Sequence, residues 1–294
     1  MNYFYRIFLI LIFFNFSLGA NDLDEIKKSG KLRHLGIPYA NFVTGLGDGL
    51  DIEIIQGFAK YLGLEYEFIP SNWDNIYGDL TGTNVRYENK KVTLLQNVQI
   101  KGDLIANGLT IIPWREEVVS FSNPTFPSSV WLIAKANSNI EPIEPTSTIQ
   151  KDIANIKDLM ADKTVLTRPN TCLDASLYDL ENTKAKIVIH PSEKKIIEMV
   201  PSVINNEVDL TLLDVPDALI ALEKFSGEIK VLGPVSQDQF MGVAFRKNSP
   251  KLLSEFNKYL EDIRNDGTFN KLVNKYYPSV SYYFNEFFMK DFKF

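Results

Sequence analysis

The sequence has few of the residues that build several common kinds of site. Its 294 residues include one cysteine, Cys172, and two histidines, His34 and His190. A single cysteine excludes an intramolecular disulfide, and the clustered cysteine and histidine ligands of a zinc site are not present. The histidines fall in separate strand-like segments and are interpreted as strand-end or surface residues. No metal ion and no cofactor is predicted.

An excess of positive charge is also lacking. The 31 lysines and arginines are outnumbered by 37 aspartates and glutamates, which gives a formal net charge of −6. Binding of nucleic acid requires a basic face, so no nucleic-acid partner is expected. The overall charge does not bear on a small-molecule ligand, because the charge of a pocket is set locally.

Long apolar runs are absent after the first 20 residues, MNYFYRIFLILIFFNFSLGA. Within them, Arg6 precedes an apolar run that gives way to small residues ending at Ala20. This layout predicts a secretory signal peptide over residues 1–20, cleaved near Ala20. An uncleaved membrane anchor is the alternative, but the run is short for a span of about 20 residues. The mature protein is expected to be soluble and exported.

The remaining chain alternates strand-like and amphipathic helical segments. In LDIEIIQGFAKYLGL, Ile55, Phe58, Ala59 and Leu62 recur at helical spacing. A non-periodic stretch with two Glu-Pro pairs, NSNIEPIEPTST, separates two such alternating blocks. Alternation of this kind predicts α/β sheets covered by helices. Two blocks predict two lobes, and a cleft between α/β lobes is a natural ligand site.

Individual segments carry sharper predictions. VRYENKKVTLLQNVQI is typical of a β-hairpin that turns at ENKK. DASLYDL and VPDALIALEKF are predicted helices, and the last part of the chain forms two helices broken at Asp266-Gly267. Ser249 is predicted to cap the first of these, with Pro250 at its first position.

Five segments then bring a known family into view. They are, in order, SGKLRHLGIPYANF, GDGLDIEIIQGFAKYLGL, GDLIANGLTIIPWREEVVSFSNPTF, EVDLTLLDVPDA and FNKYLEDIRNDGTFNKLVNKYYP. Together they resemble the bacterial periplasmic solute-binding proteins of the polar amino-acid family, family 3, over nearly all of the mature chain. The resemblance implies the type II periplasmic-binding-protein fold, an α/β fold with two lobes, two crossover strands and a ligand cleft between the lobes.

The resemblance also implies lobe boundaries and partners. Lobe one would comprise residues 21–132 plus 242–294, and lobe two residues 133–241, with crossovers in WLIAKA and GVAFRK. A periplasmic monomer is expected, which binds a small molecule and meets a membrane partner. That partner is an ABC permease or a sensor kinase, and the sequence does not choose between them.

The arginine after Pro113 and Trp114 is the first predicted ligand contact. In the resembled family the residue matching Arg115 holds the ligand's α-carboxylate, and a guanidinium gives two parallel hydrogen bonds to such a group. The alternative is a solvated arginine paired with a neighbouring glutamate. The resemblance places Gly108 and Thr110 beside the carboxylate, where a bare backbone and a hydroxyl suit close approach. Ordinary strand-end residues are their alternative.

The segment RPNTC departs from the family pattern, which has Gly-Thr-Ser or Gly-Thr-Thr here. Asn170 replaces the glycine, and asparagine tolerates the left-handed conformation. Thr171 and Cys172 match the residues that bind the carboxylate, although a thiol is a weak donor. A buried small hydrophobic residue is the alternative for Cys172.

Three further residues complete the predicted site. The resemblance implies that Asp214 binds the ligand's α-ammonium, while helix capping is its alternative. Tyr39 matches the aromatic residue over the ligand side chain, and Trp73 would lie at the cleft rim or in the core.

The predicted function is an exported receptor for an amino acid or a similar small carboxylate. Two alternatives stay open: a periplasmic enzyme on the same fold, similar to cyclohexadienyl dehydratases, and a signalling module without a free ligand. The segment TGTNVRYENKKVTLLQNVQI is interpreted as an insertion in lobe one. Like the aromatic tail YYPSVSYYFNEFF, it is either extra cover for the core or a docking surface.

Overall fold

Strands and helices alternate along the chain, as the periodicity predicts. The computed structural model describes residues 22–88 and 90–289, so the predicted signal peptide lies outside the described residues. The strands are β1 (Lys31–Gly36), β2 (Glu65–Pro70), β3 (Thr83–Glu88), β4 (Lys91–Asn97), β5 (Leu104–Thr110), β6 (Ser120–Phe121), β7 (Phe126–Ser128), β8 (Val130–Lys135), β9 (Thr164–Thr167), β10 (Lys186–Ile189), β11 (Leu210–Asp214), β12 (Ile229–Pro234) and β13 (Gln239–Phe245).

The helices cover these strands. They are α1 (Leu23–Ser29), α2 (Leu50–Leu62), α3 (Ile76–Thr81), α4 (Pro113–Val118), α5 (Ile149–Leu159), α6 (Met199–Ile204), α7 (Val215–Lys224), α8 (Pro250–Asn265), α9 (Thr268–Tyr276) and α10 (Val280–Tyr283). Short 3-10 helices span Ala175–Tyr178, Leu180–Asn182, Ile196–Glu198 and Asn285–Phe288. The break between α8 and α9 at Asp266-Gly267 is confirmed, with Gly267 in the left-handed region at φ 80°.

Two separate sheets organise the core. The first has the order β2-β1-β5-β13-β6, with β7 also paired to β13. The second has the order β10-β9-β11-β8-β12. In the first sheet, β2, β1 and β5 are parallel and β13 pairs antiparallel with β5. In the second sheet, β10, β9 and β11 are parallel and β8 pairs antiparallel with β11. Helices pack on the parallel strands through their apolar faces, as in α2, where Ile55 and Phe58 are fully buried.

The chain passes between the sheets at two places. β8 pairs only within the second sheet and β13 only within the first, so the passages lie at 128–130 and 234–239. The predicted lobe boundaries, after 132 and after 241, fall inside these two strands. The division into lobes stays a prediction, and the strand pairing favours boundaries a few residues earlier at each passage.

The predicted hairpin is confirmed as β3 and β4, which pair antiparallel. The Tyr87 ring stacks on Trp114 with centroids 5.2 Å apart. The hairpin also contacts loops next to the second sheet: the Tyr87 N–H donates to Asn170 Oδ1 at 3.3 Å, and Lys90 Nζ lies 2.6 Å from Asp179 Oδ1. The hairpin therefore connects regions on both sides of the space between the sheets.

A buried carboxylate ties three strands of the first sheet together. Asp103, which is 1% exposed, directly precedes β5. It accepts hydrogen bonds from the backbone N–H and the guanidinium of Arg33 in β1, at 2.7 to 3.1 Å. Arg246, just after β13, places Nη2 3.5 Å from Asp103 Oδ1 and donates to the Gly102 carbonyl at 2.6 Å. The cluster joins the end of β13 to the parallel strands β1 and β5.

Two expectations from the sequence are wrong. DASLYDL forms two short 3-10 turns instead of one helix, because Asp174 accepts from the Ser176 N–H and Asp179 adopts a left-handed φ of 54°. His34 is neither a strand-end nor a surface residue, since it lies within β1 and is fully buried. His190 directly follows the end of β10, as interpreted, although it is only 3% exposed. Burial lowers the pKa of His34 to about 4, so its imidazole is neutral inside the sheet.

The aromatic tail packs over β8 and β13, the strands that follow the two passages between the sheets. Tyr283 lies against Trp131 of β8, with centroids 5.4 Å apart, and Phe287 lies against Phe240 of β13 at 5.9 Å. Phe287 is buried, whereas Tyr282 is 87% exposed. The tail thus covers the region where the two sheets are connected.

Candidate functional site

The end of β5 and the start of α4 hold Arg115 in place. Pro113 is the first residue of α4, where its fixed φ suits a helix start. Arg115 is 2% exposed, its Nη1 donates to the Thr110 carbonyl at 2.9 Å, and its guanidinium lies 5.3 Å from the Trp114 ring. Nε has no hydrogen-bond partner among the described residues. A solvated arginine at this position is therefore excluded.

Gly108 shapes the backbone near the end of β5, two residues before Thr110. It has a φ of +61°, and a Cβ there would lie 2.3 Å from the Phe42 ring. Its N–H donates to Asp51 Oδ2 at 2.7 Å. Burial raises the pKa of Asp51 to about 7. Only glycine fits both the left-handed backbone and the contact with Phe42.

Substituting Gly108 by alanine is expected to lower the free energy of unfolding by about 2–5 kcal/mol. Left-handed backbone costs an L-residue about 1–2 kcal/mol, and the clash with Phe42 adds about 1–3 kcal/mol of overpacking. Gly63→Ala is the matched control, because Gly63 has a φ of +70° and no atom within 4 Å of the added Cβ. Urea unfolding of both variants measures the difference, and equal losses would contradict the clash.

Several buried polar atoms in this region have no hydrogen-bond partner in the described part of the chain. Thr110 Oγ1 and Tyr77 Oη belong to residues that interact with Arg115, and Gln239 Oε1 lies in β13. Burial raises the pKa of Tyr77 to about 12, and the charge of Arg115 opposes that rise. The Gln239 amide donates to Tyr178 Oη at 3.2 Å, and Tyr178 donates to the Cys172 carbonyl. Unpartnered buried polar atoms are rare in folded proteins, so this region is a candidate ligand site.

The loop after β9 approaches from the second sheet. Asn170 adopts a left-handed φ of 62°, which is the conformation that the missing glycine would favour. Thr171 Oγ1 donates to the Arg168 carbonyl at 2.8 Å and accepts from the Leu173 N–H at 3.0 Å. The Thr171 hydroxyl is thus engaged in shaping its own loop.

Asp214, the last residue of β11, contacts the loops that follow β1 and β9. Its Oδ2 accepts from Tyr39 Oη at 2.6 Å and from Cys172 Sγ at 3.3 Å, while Oδ1 accepts from the Asp217 N–H at the start of α7. Burial raises the pKa of Asp214, against the hydrogen bonds from Tyr39 and Cys172. Burial, and then the charge of Asp214, raises the pKa of Cys172 far above its ordinary value. The thiol is therefore a neutral donor instead of a nucleophile.

A chain of contacts connects the predicted site residues. Cys172 touches Asp214 on one side and is within reach of Thr110 and the charge of Arg115 on the other. Tyr39 extends the chain to Trp73, whose ring lies edge-on at 5.9 Å. Cys172 thus contacts Asp214 at the end of β11 and lies within the electrostatic influence of Arg115 in α4.

Beside this centre lies a cleft of about 800 Å³. Its walls include Tyr39, Trp73 and Thr171 but neither Arg115 nor Asp214. Sequence reasoning missed two buried charged residues of this wall, Arg168 and Asp217. The only local signal for the second was the repeated aspartate in DVPDA.

Asp217 and Arg168 differ in how they are held. Asp217 is 2% exposed, and its Oδ2 has no hydrogen-bond partner among the described residues. Burial, and then the charge of Asp214, raises its pKa well above the ordinary value. Arg168 donates to the carbonyls of Ser192 and Lys194, so its charge is fixed on the loop that follows β10.

Two features are absent from the residues that the structure describes. No group of three or more His, Cys, Asp and Glu side chains is placed to hold a metal ion. No helix in the same residues has the length and apolar character needed to cross a membrane.

Comparison with known proteins gives consistent likenesses. The chain is 24% identical to the membrane-bound lytic murein transglycosylase F of Desulfosudis oleivorans, over 91% of this chain and 53% of that protein. It is 24% identical to the L-cystine-binding protein TcyJ of Escherichia coli K12, over 78% of this chain and 74% of that protein. The chain thus spans about half the length of the transglycosylase and three quarters of the cystine-binding protein.

A solved structure shows the same architecture. The P235GK mutant of ArgBP from T. maritima superposes with a TM-score of 0.66 at 22% identity, over 87% of this chain and 98% of that one. This likeness shows the two-lobed type II periplasmic-binding-protein fold. A profile described as "Bacterial extracellular solute-binding proteins, family 3" matches residues 89–279. Because this match covers more than half of the chain, the protein belongs to the bacterial extracellular solute-binding proteins of family 3.

Proposed function

We propose that the protein is an exported receptor that binds a free amino acid, or a similar small carboxylate, between its two sheets. The proximity of Arg115 and Asp214 to Cys172 carries this proposal. A guanidinium on α4, which follows β5 of the first sheet, and a carboxylate at the end of β11 of the second sheet match the two charges of a zwitterion. Buried charges need partners, and the unpartnered Arg115 Nε and Thr110 Oγ1 are suited to an α-carboxylate.

The remaining predicted residues have supporting roles in this proposal. Tyr39 and Trp73 would cover the ligand side chain, while Gly108 and the loop at Thr171 shape the walls. Relatives support an amino-acid ligand. One of them is named an L-cystine-binding protein, and the solved structure with the same architecture is that of ArgBP. Ligand bound to both sheets would favour the closed arrangement, which a membrane permease or sensor in the periplasm would recognise. A monomer suffices for this role.

Calorimetry on mature protein freed of copurified ligand by unfolding and refolding tests the proposal. The panel comprises the standard amino acids and cystine, and at least one is expected to bind with a dissociation constant of about 1 μM or below, or about −8 kcal/mol. Incubation with prephenate and arogenate is the parallel arm. No binding across the panel would refute the receptor function, and release of an aromatic product would identify a dehydratase.

A further inference from the structure

The cleft beside the Arg115–Asp214 centre contains a carboxylate that the proposed zwitterion contacts do not use. Asp217 lies on the wall of this cleft, one helical turn after Asp214. Asp214 has both carboxylate oxygens engaged by Tyr39, Cys172 and the start of α7. Asp217 is therefore the carboxylate that faces the space where a ligand side chain would extend.

Burial of the Asp217 carboxylate is energetically unfavourable unless a hydrogen-bond donor reaches it. The side chain is 2% exposed, and its Oδ2 has no partner among the described residues. Tyr39 also interacts with Asp217, but its hydroxyl donates to Asp214 Oδ2 at 2.6 Å. A buried carboxylate oxygen that is left without a donor is unfavourable. The adjacent Asp214 carboxylate adds repulsion between like charges. A cationic group placed against Asp217 would relieve both costs.

The neighbouring wall suits a cation. Tyr39 and Trp73 border the same cleft, with their rings edge-on at 5.9 Å. Aromatic faces attract guanidinium and ammonium groups. Asp74 and Glu193 also line the cleft, but both are exposed, so water screens their charges. Two aromatic rings and one buried carboxylate, Asp217, thus border the space beyond the α-group contacts.

Positive residues on this cleft do not cancel the effect. Lys194, Lys195 and Lys224 line it but are exposed, so water screens their charges. The guanidinium of Arg168 is closer, and its charge opposes the raised pKa of Asp217. Its hydrogen bonds to two backbone carbonyls hold it on the loop after β10. Asp217 keeps an unpartnered oxygen despite that charge.

We propose that Asp217 binds the cationic end of the ligand's side chain, so that the receptor selects amino acids with a guanidinium or ammonium side chain. This inference rests on the proposed function, because it assigns the α-carboxylate to Arg115 and the α-ammonium to Asp214. Asp217 is then the residue that determines specificity within a site whose other contacts accept any amino acid.

The test compares L-arginine with L-citrulline, which has nearly the same shape and a neutral urea group. Wild-type protein is expected to bind arginine at least about tenfold more tightly, by calorimetry. Asp217→Asn keeps the size of the side chain and removes the charge. It is expected to weaken arginine binding by about 100-fold, as for a buried charge pair that loses one partner, and to change citrulline binding by less than about threefold.

Two controls separate this effect from damage to the fold. Unliganded Asp217→Asn is expected to melt no lower than wild type, because the variant removes a buried like charge. Asp74→Asn changes an exposed carboxylate of the same cleft, and its arginine affinity is expected to stay within about threefold of wild type.

The outcomes distinguish the inference from the function on which it rests. Equal binding of arginine and citrulline by wild type, or unchanged arginine binding by Asp217→Asn, would overturn the role of Asp217. Binding of a neutral or acidic amino acid with no binding of arginine or lysine would also overturn it and leave the receptor function standing. Failure of every amino acid to bind would overturn both.

Discussion

Replacing Arg115 by alanine is expected to weaken binding of the tightest amino acid in the calorimetric panel by about 100- to 1000-fold, or about 3–4 kcal/mol. The substitution would leave a ligand carboxylate inside a site where other charges are buried, without its bidentate donor. Arg115→Lys is expected to restore only part of the affinity, because an ammonium is a single point charge. Calorimetry of the three proteins gives the comparison.

Arg86→Ala is the control for this prediction. Arg86 lies on the hairpin with its side chain 55% exposed, so its removal is expected to change affinity by less than about threefold. Because Arg115 is buried against Trp114, melting of the unliganded Arg115→Ala protein must be measured as well. A folded variant that binds as tightly as wild type would show that the ligand lies elsewhere.

Asp103→Ala is expected to lower the free energy of unfolding by about 3–5 kcal/mol, the usual loss when one partner of a buried ion pair is removed. The substitution would leave Arg246, which is 3% exposed, without its nearby carboxylate. It would also remove three hydrogen bonds to Arg33. Urea unfolding of the unliganded protein measures the loss.

An exposed ion pair is the matched control for Asp103. Asp24 lies 2.5 Å from Lys251, with both side chains at least 60% exposed, and Asp24→Ala is expected to leave unfolding unchanged within error. If Asp103→Ala were as stable as this control, the buried cluster would not be what connects β1, β5 and β13.

Much of the secondary structure follows from patterns within short segments. The apolar spacing in α2, the proline at the start of α8 and the glycine between α8 and α9 each predict a feature that the structure contains. Such signals depend on residues within a few positions of one another. The prediction of one helix in DASLYDL was wrong. Its apolar spacing is helical, but the side-chain hydrogen bonds of Asp174 and the left-handed conformation of Asp179 decide the turn.

The candidate site was accessible from the sequence only through motifs. These motifs selected Arg115, Asp214 and Tyr39, and the structure brings them into one chain of contacts. They did not select Asp217, because a second aspartate in a first helical turn is equally suited to capping or to solvent. Asp217 is 2% exposed and interacts with Tyr39, which is remote in the chain.

By itself, the sequence determined the alternation of strands and helices, the division into two α/β blocks and the identity of the residues available for a zwitterion. The tertiary structure alone decided that both oxygens of Asp214 are engaged while Oδ2 of Asp217 has no partner among the described residues, and where the chain passes between the sheets. The physical reason is distance along the chain: Tyr39 and Asp214 share a hydrogen bond although 175 positions separate them. Burial and pairing of charges arise only when such distant elements pack together.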